Sequence, residues 1–413
     1  MDDWGLTPIS LYCWRETANH RHAHLAGRPP LYRHPARHFV RGTVLSAPDR
    51  KIYLDWLRGV AVIVMVGAHA NDAWTREADR QSALYMLTVF VAGLAAPLFL
   101  FLAGLSLSMA ASMRAATMGH AEAARVALKR GAQVFALAFL FRLQSQLLGW
   151  GALSNFLKVD ILNVMGLAMM AAALLWRVSE SRAVRIALFA VTTIVVTMAT
   201  PLVREAGVLA GVPDPIEAYI RPIPGRTTFA LFPWSAFLLA GAIAGELIHA
   251  ARSHSQERRL QLGLLVCGLA GIGLGYATSF QPSIYPVANF WTSSPTFFFI
   301  RLGICAAVLP IARVIDLFHV FMRARFPHIF SMDTPGRVTA TLGRSSLFVY
   351  WIHVEMVYGL LGRPLRRGLP LEASLGAMVV LCLVLYAIVL WKDRIMAGVK
   401  LTGPFRIFAP VLK

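Results

Sequence analysis

Charged side chains are scarce. Asp, Glu, Lys and Arg together make up 15% of the 413 residues, where a soluble domain carries roughly a quarter. A larger core does not remove the need for a charged shell, so the deficit excludes an ordinary water-facing surface and implies one that faces lipid. Acidic residues are the scarcer sign, 21 against 40 basic ones, for a formal charge of +19. Cysteine is scarce too. Cys13, Cys267, Cys305 and Cys382 form no CxxC pair and no metal-ligand spacing, and they do not fix a redox compartment. Three of them lie in apolar runs, where cysteine serves as a small hydrophobe. The start lacks the basic-then-apolar pattern of a secretory signal; it reads Met1-Asp2-Asp3 and continues into a His/Arg/Pro-rich stretch that includes His20, His22 and His24. No internal repeat of span pattern or motif is visible, which weakens a transporter built from two halves.

What is present is apolar. Residues of the AVILMFWYC set reach 57%, and a membrane-crossing helix needs about 20 of them in a row. The expected fold is all-α, a polytopic integral membrane protein of about ten transmembrane helices. The spans expected are 53–73, 84–111, 126–147, 156–176, 184–201, 228–249, 260–279, 296–319, 341–361 and 371–391. With the N-terminus inside, inner segments and the span ends bordering them hold 28 of the 40 Lys and Arg, the asymmetry of a chain with both termini cytoplasmic. One outer loop, 362–370, breaks the trend with Arg363, Arg366 and Arg367. The longest outer loop, 202–227, holds four prolines and is long enough to cap a site on that face. Basic residues sit between apolar runs rather than among aromatics on a polar domain, so nucleic acid is not an expected partner; the lipid bilayer is. Three regions follow: a basic extension over 1–50 expected to be irregular, a membrane domain over 51–395, and a short basic tail over 396–413.

Ionisable residues within spans are costly, so function is sought there first. Arg58 and His69 of the first span are eleven residues apart. That is three helical turns plus about 20°, or roughly 16 Å along one face. One helix thus offers a guanidinium near its cytoplasmic end and an imidazole near the other. Asp55 is placed to pair with Arg58, and Asp72, one turn after His69, to orient the ring. Arg142 and Asp160 fall near the outer ends of the third and fourth spans, and Arg301 about one turn into the eighth. His353 and Glu355 lie deep in the ninth; a carboxylate there calls for a cation, with Arg301 or Arg142 as the expected partner. Lys129 and Arg130, with Arg125, open the third span on the inner side, where a phosphate-rich ligand would meet them and Arg58 first. Each charge also has a bland reading: snorkelling for Arg58, an interfacial polar residue for His69, positive-inside charge for Arg130, a packing ion pair for Arg301 and Glu355.

The stretch Leu54-Asp55-Trp56-Leu57-Arg58-Gly59 followed by His69 resembles the first helix of the transmembrane acyltransferase superfamily. Four more stretches resemble its heparan-α-glucosaminide N-acetyltransferase catalytic branch and bacterial relatives. They are Ala96-Pro97 through Gly104-Leu105-Ser106, Asp160 through Gly166, Leu231-Phe232-Pro233-Trp234 with Gly241 and Gly245, and Leu342-Gly343-Arg344 through Tyr350 and His353. Together they cover roughly 52–392, in the family's order. The resemblance implies transfer of an acyl group, usually acetyl from cytosolic acetyl-CoA, to a glycan across the membrane. It places Arg58 and Arg130 at the CoA phosphates, with Lys129 beside them, and His69 at the reaction centre. It implies a multi-pass protein of a bacterial inner membrane and no metal. Two departures stand out. Only Arg130 clearly matches the paired arginines of some relatives' third helix, and the match to His69 follows the wider superfamily rather than the lysosomal enzyme.

His69 would serve as general base on an acceptor hydroxyl or amine, or as a transient acyl carrier, with Asp72 or Asp160 fixing its tautomer. The sequence leaves both routes open, along with the acceptor, the acyl length and the oligomeric state, a homodimer among the options. A proton-coupled transporter or flippase is the alternative, since it also uses buried Arg, Asp, Glu and His, though it has no specific need for an arginine–histidine helix. A non-catalytic scaffold predicts that every buried charge is paired and that no polar cavity remains.

Overall fold

The computed structural model describes residues 51–149, 156–326 and 334–397. The N-terminal extension, Cys13 and nearly all of the basic tail lie outside them. The described residues are all-helical, with thirteen α-helices and isolated bridges only at Thr75–Leu369 and Val159–Thr227. They run α1 Ile52–Trp74, α2 Ala83–Ala92, α3 Ala95–Met118, α4 His120–Gly149, α5 Ile161–Arg177, α6 Arg182–Glu205, α7 Asp214–Ile220, α8 Leu231–Ala250, α9 His254–Thr278, α10 Pro295–Arg325, α11 Thr334–Arg344, α12 Ser346–Tyr358 and α13 Leu371–Met396.

Local chemistry sets several of these boundaries. Ser82 caps α2 by accepting from the Tyr85 N–H, and Ser253 and Ser294 do the same for α9 and α10. Asp160 and Asn163 form a reciprocal capping box on α5. Gly119 ends α3 at φ +83, a conformation that favours glycine.

All ten stretches expected to span are helical over most of their length. Among the described residues, seven segments are long and apolar enough to cross a membrane by length and composition: α1, α2 with α3, α6, α8, α9, α10 and α13. The other three fall short for readable reasons. α4 carries Lys129, Arg130, Gln133, Arg142, Gln144 and Gln146 among its apolar residues, α5 has 17 residues, and the ninth stretch is divided at Ser345 into α11 and the 13-residue α12.

Backbones approach closely where glycine allows it. A Cβ at Gly104 would lie 1.8 Å from the Leu238 carbonyl oxygen, and one at Gly241 1.9 Å from that of Phe101, so α3 and α8 touch backbone to backbone. Small residues at crossings are how membrane helices gain packing contact where lipid offers no hydrophobic drive. Outward faces stay apolar: Val191, Val195, Leu262, Leu269, Val380 and Leu383 are exposed on α6, α9 and α13, the surface a bilayer would cover.

The basic loop 362–370 is pinned to the end of α1. Arg76 N–H donates to the Leu369 carbonyl at 2.8 Å, Leu369 N–H to that of Trp74 at 3.0 Å, and Arg367 pairs with Glu77. Asp79 joins the same cluster: the Leu371 N–H and the Arg76 guanidinium hold its carboxyl below the usual carboxylate range. Of the three loop arginines, Arg367 thus has a local carboxylate partner. Loop 206–230 is structured as well, with α7, an Arg221–Glu217 pair and an Arg226–Asp214 pair at 3.2 Å.

Candidate active site

A cavity of about 1180 Å³ lies among α1, α3, α4, α5, α11 and α12. On α3, the wall residues Phe99, Ala103, Ser106, Ala110 and Arg114 recur at three- and four-residue spacing, one face of the helix. The small side chains Ala103, Ser106 and Ala110 on that face leave the space. Both Arg58 and His69 line it, as their eleven-residue spacing requires.

At the Arg58 end the wall is cationic. Arg58 donates to Asp55 at 2.9 Å and to the Ser106 hydroxyl. Lys129 and Arg130 of α4 line the same end, and Arg114 of α3 and Arg344 of α11 join them. Arg114 is near enough to Arg130 for the two charges to repel. Among the described residues no carboxylate pairs with Arg114, Lys129, Arg130 or Arg344. Four cations lining one space with no carboxylate partner give this end of the cavity the charge to hold an anion.

At the other end His69 is held by its neighbours. Its Nδ1 is 3.0 Å from the Tyr358 hydroxyl, and that hydroxyl donates to Asp72 Oδ2 at 3.3 Å. Asp72 therefore reaches His69 through Tyr358 rather than directly. Arg80 anchors Asp72 from behind, 3.5 Å from Oδ1 and also bonded to the Asp72 carbonyl. Asp160, expected as an alternative partner of His69, is committed elsewhere: it accepts from Arg142 at 2.9 Å and from Tyr350 at 3.3 Å, and caps α5. Arg142, Asp160 and Lys158 all border this end of the cavity.

His353 lies beside His69, ring centroids 5.2 Å apart. Its Nδ1–H donates to the Val349 carbonyl at 2.9 Å, so its Nε2 carries the lone pair, fully buried and without a partner. The expected pairing of Glu355 with Arg301 or Arg142 is not formed. Arg301 stacks on the Phe297 ring at 3.9 Å with Trp234 at 6.0 Å, Arg142 is taken by Asp160, and Glu355 meets the Ser145 hydroxyl instead. Cation–π contact and aromatic packing replace the carboxylate that the guanidinium was expected to need.

Sequence reasoning missed Arg114, Arg344 and Tyr358 at the site. The signal for Arg114 was present, since it continues the α3 stripe; Tyr358 reads as an ordinary interfacial aromatic and carries none. Also missed was Glu246 of α8, wholly buried, which accepts from Ser108, Ser112 and Trp176 and pairs with Arg185 at 2.7 Å. Among the described residues no group of three or more His, Cys, Asp or Glu is placed to hold a metal.

Among curated proteins no match is found. The family model described as heparan-alpha-glucosaminide N-acetyltransferase, catalytic, matches residues 50–282. That span includes Arg58, His69, Arg130 and Asp160, while α11 and α12 lie beyond it. It covers more than half of the chain, and the protein belongs to the heparan-alpha-glucosaminide N-acetyltransferase catalytic family, multi-pass membrane proteins of acetyltransferase type.

Proposed function

We propose that this protein transfers an acetyl group from cytosolic acetyl-CoA to a glycan-type acceptor on the far side of the membrane, with His69 as the base. One observation carries the reading: a single cavity joins four cations that lack carboxylate partners to the edge of His69. CoA brings a 3′-phosphate and a pyrophosphate, and a thioester at the end of a long neutral arm. Arg114, Lys129, Arg130 and Arg344 supply the counter-charge, with Arg58 deeper on the same wall. The arm then lies along the α3 face of Ala103, Ser106 and Ala110, and the thioester carbonyl comes to the His69 end.

His69 Nε2 takes the proton from the acceptor hydroxyl or amine as that oxygen or nitrogen attacks the thioester carbonyl. The C–S bond breaks, and the departing thiolate recovers the proton from Nε2. A transient acyl-imidazole on Nε2 is the other route through the same atom. The donor end faces the cytoplasm in the orientation that loop charge favours, with both termini inside and the bacterial inner membrane as the setting.

The test uses the full chain in liposomes with acetyl-CoA and an α-glucosaminide. His69→Ala is expected to lower transfer by at least ~10²-fold while CoA still binds. Wild-type protein that neither binds CoA nor releases it as free thiol would overturn the reading.

A further inference from the structure

The Tyr358 hydroxyl stands between an imidazole and a carboxylate, 3.0 Å from His69 Nδ1 and 3.3 Å from Asp72 Oδ2. A carboxylate only accepts hydrogen bonds, and a phenol has one hydrogen to give. The Tyr358 hydrogen therefore goes to Asp72, and the Tyr358 oxygen must accept from His69. That places the His69 proton on Nδ1 and leaves the lone pair on Nε2. We infer that Tyr358 is a positioning residue that sets the His69 tautomer, with Asp72 and Arg80 as its support.

The supporting groups fit the task. The Asp72 side chain is 59% exposed and would wander alone, but Arg80, at 14%, pins both its carboxylate and its backbone carbonyl. Arg80 is itself braced by the Tyr85 ring at 5.3 Å and the Thr75 carbonyl. The four side chains come from α1, from the turn before α2, and from the last residue of α12, so the relay closes only when these elements are assembled. A plain steric wall would need no hydroxyl, and a direct carboxylate–imidazole pair would not need Tyr358. When Nε2 takes a proton, the resulting imidazolium keeps its Nδ1–H on the Tyr358 oxygen, with the Asp72 charge one bond further. His353 does not compete: its Nδ1–H is spent on Val349.

The inference rests on the reading of His69 as the base, and two experiments separate the failure of each. In the first, Tyr358→Phe is compared with wild type, His69→Ala and the double variant, using acetyl-CoA and an α-glucosaminide. Tyr358→Phe is expected to lower kcat about tenfold or more, with KM for acetyl-CoA and the melting temperature unchanged. Added to His69→Ala, it should cost nothing further, because Tyr358 acts only through His69. Unchanged kcat in Tyr358→Phe, or an extra loss in the double variant, overturns the relay. The second experiment needs no acceptor. Diethyl pyrocarbonate modifies a free imidazole lone pair, and mass spectrometry reads its rate at His69. Tyr358→Phe should slow that rate several-fold, and an equal rate overturns the relay even if the wild-type protein proves to transfer no acetyl group.

Discussion

Arg185 of α6 donates to Glu246 of α8 at 2.7 Å, with the carboxylate wholly buried and its other oxygen shared by Ser108, Ser112 and Trp176. Four helices, α3, α5, α6 and α8, meet at this one side chain. Breaking a buried pair by removing one partner is far more costly than never having built it. Glu246→Ala should therefore destabilise the protein by about 3–5 kcal/mol, read as a lowered melting temperature in detergent with little folded protein recovered. A melting curve equal to that of wild type would mean that the four helices are held without this hub.

The α3–α8 crossing gives a second stability test. A Cβ at Gly104 would sit 1.8 Å from the Leu238 carbonyl oxygen, which is backbone and cannot swing away. Gly104→Val must part the helices, at about 1–3 kcal/mol or more. Gly273→Ala on α9 is the control, since nothing lies within 4 Å of its added Cβ. It should leave the melting temperature equal or slightly raised. Equal effects at both positions would contradict the close crossing.

Glu355 yields an expectation opposite to the one its depth in the ninth stretch suggests. Its carboxylate meets Ser145, and its Oε1 has no partner. Arg301 rests on Phe297 instead. Removing the charge strands no cation, so Glu355→Gln should fold and melt like wild type. A large loss of folded protein would mean that a guanidinium does depend on this carboxylate.

The sequence carries the helix pattern and the Arg58–His69 face because both are local: apolar run length and helical periodicity decide them. It carries the stripe on α3 from Phe99 to Arg114 for the same reason. Partner choice is not local. Which cation meets Glu355 depends on how α10 and α12 lie, and an aromatic floor under Arg301 was as good a solution as a carboxylate. Tyr358 was invisible because its role comes from two residues 286 and 289 positions away. Glu246 was passed over inside an apolar run, although a lone carboxylate there calls for a partner as strongly as Glu355 does. Seven of the ten expected spans meet the length and apolarity of a crossing helix among the described residues; the other three are interrupted by Gln and Arg in α4, are short in α5, or are divided at Ser345 between α11 and α12.

The donor end gives the last prediction. Arg114 and Arg130 line the same cavity, near enough to repel and, among the described residues, neither paired with a carboxylate, so in the absence of an anion each raises the energy of the other. A phosphate placed between them relieves that repulsion and gains charge-assisted hydrogen bonds. Arg114→Ala and Arg130→Ala should each weaken CoA binding by about 1.5–3 kcal/mol, roughly ten- to a hundred-fold. The losses should not add in the double variant if both touch the same phosphate. Arg125→Ala serves as the control, because Arg125 is exposed and paired with Glu122 one turn away. It should bind CoA as wild type does. Raising the salt should weaken wild-type binding and have less effect on the double variant, whose remaining contacts are less ionic. Isothermal titration with CoA and with dephospho-CoA then separates the phosphates. If the 3′-phosphate is the group held, wild type prefers CoA and the double variant does not. Equal CoA affinity across wild type, both single variants and the control would leave these arginines as topology signals and put the donor elsewhere.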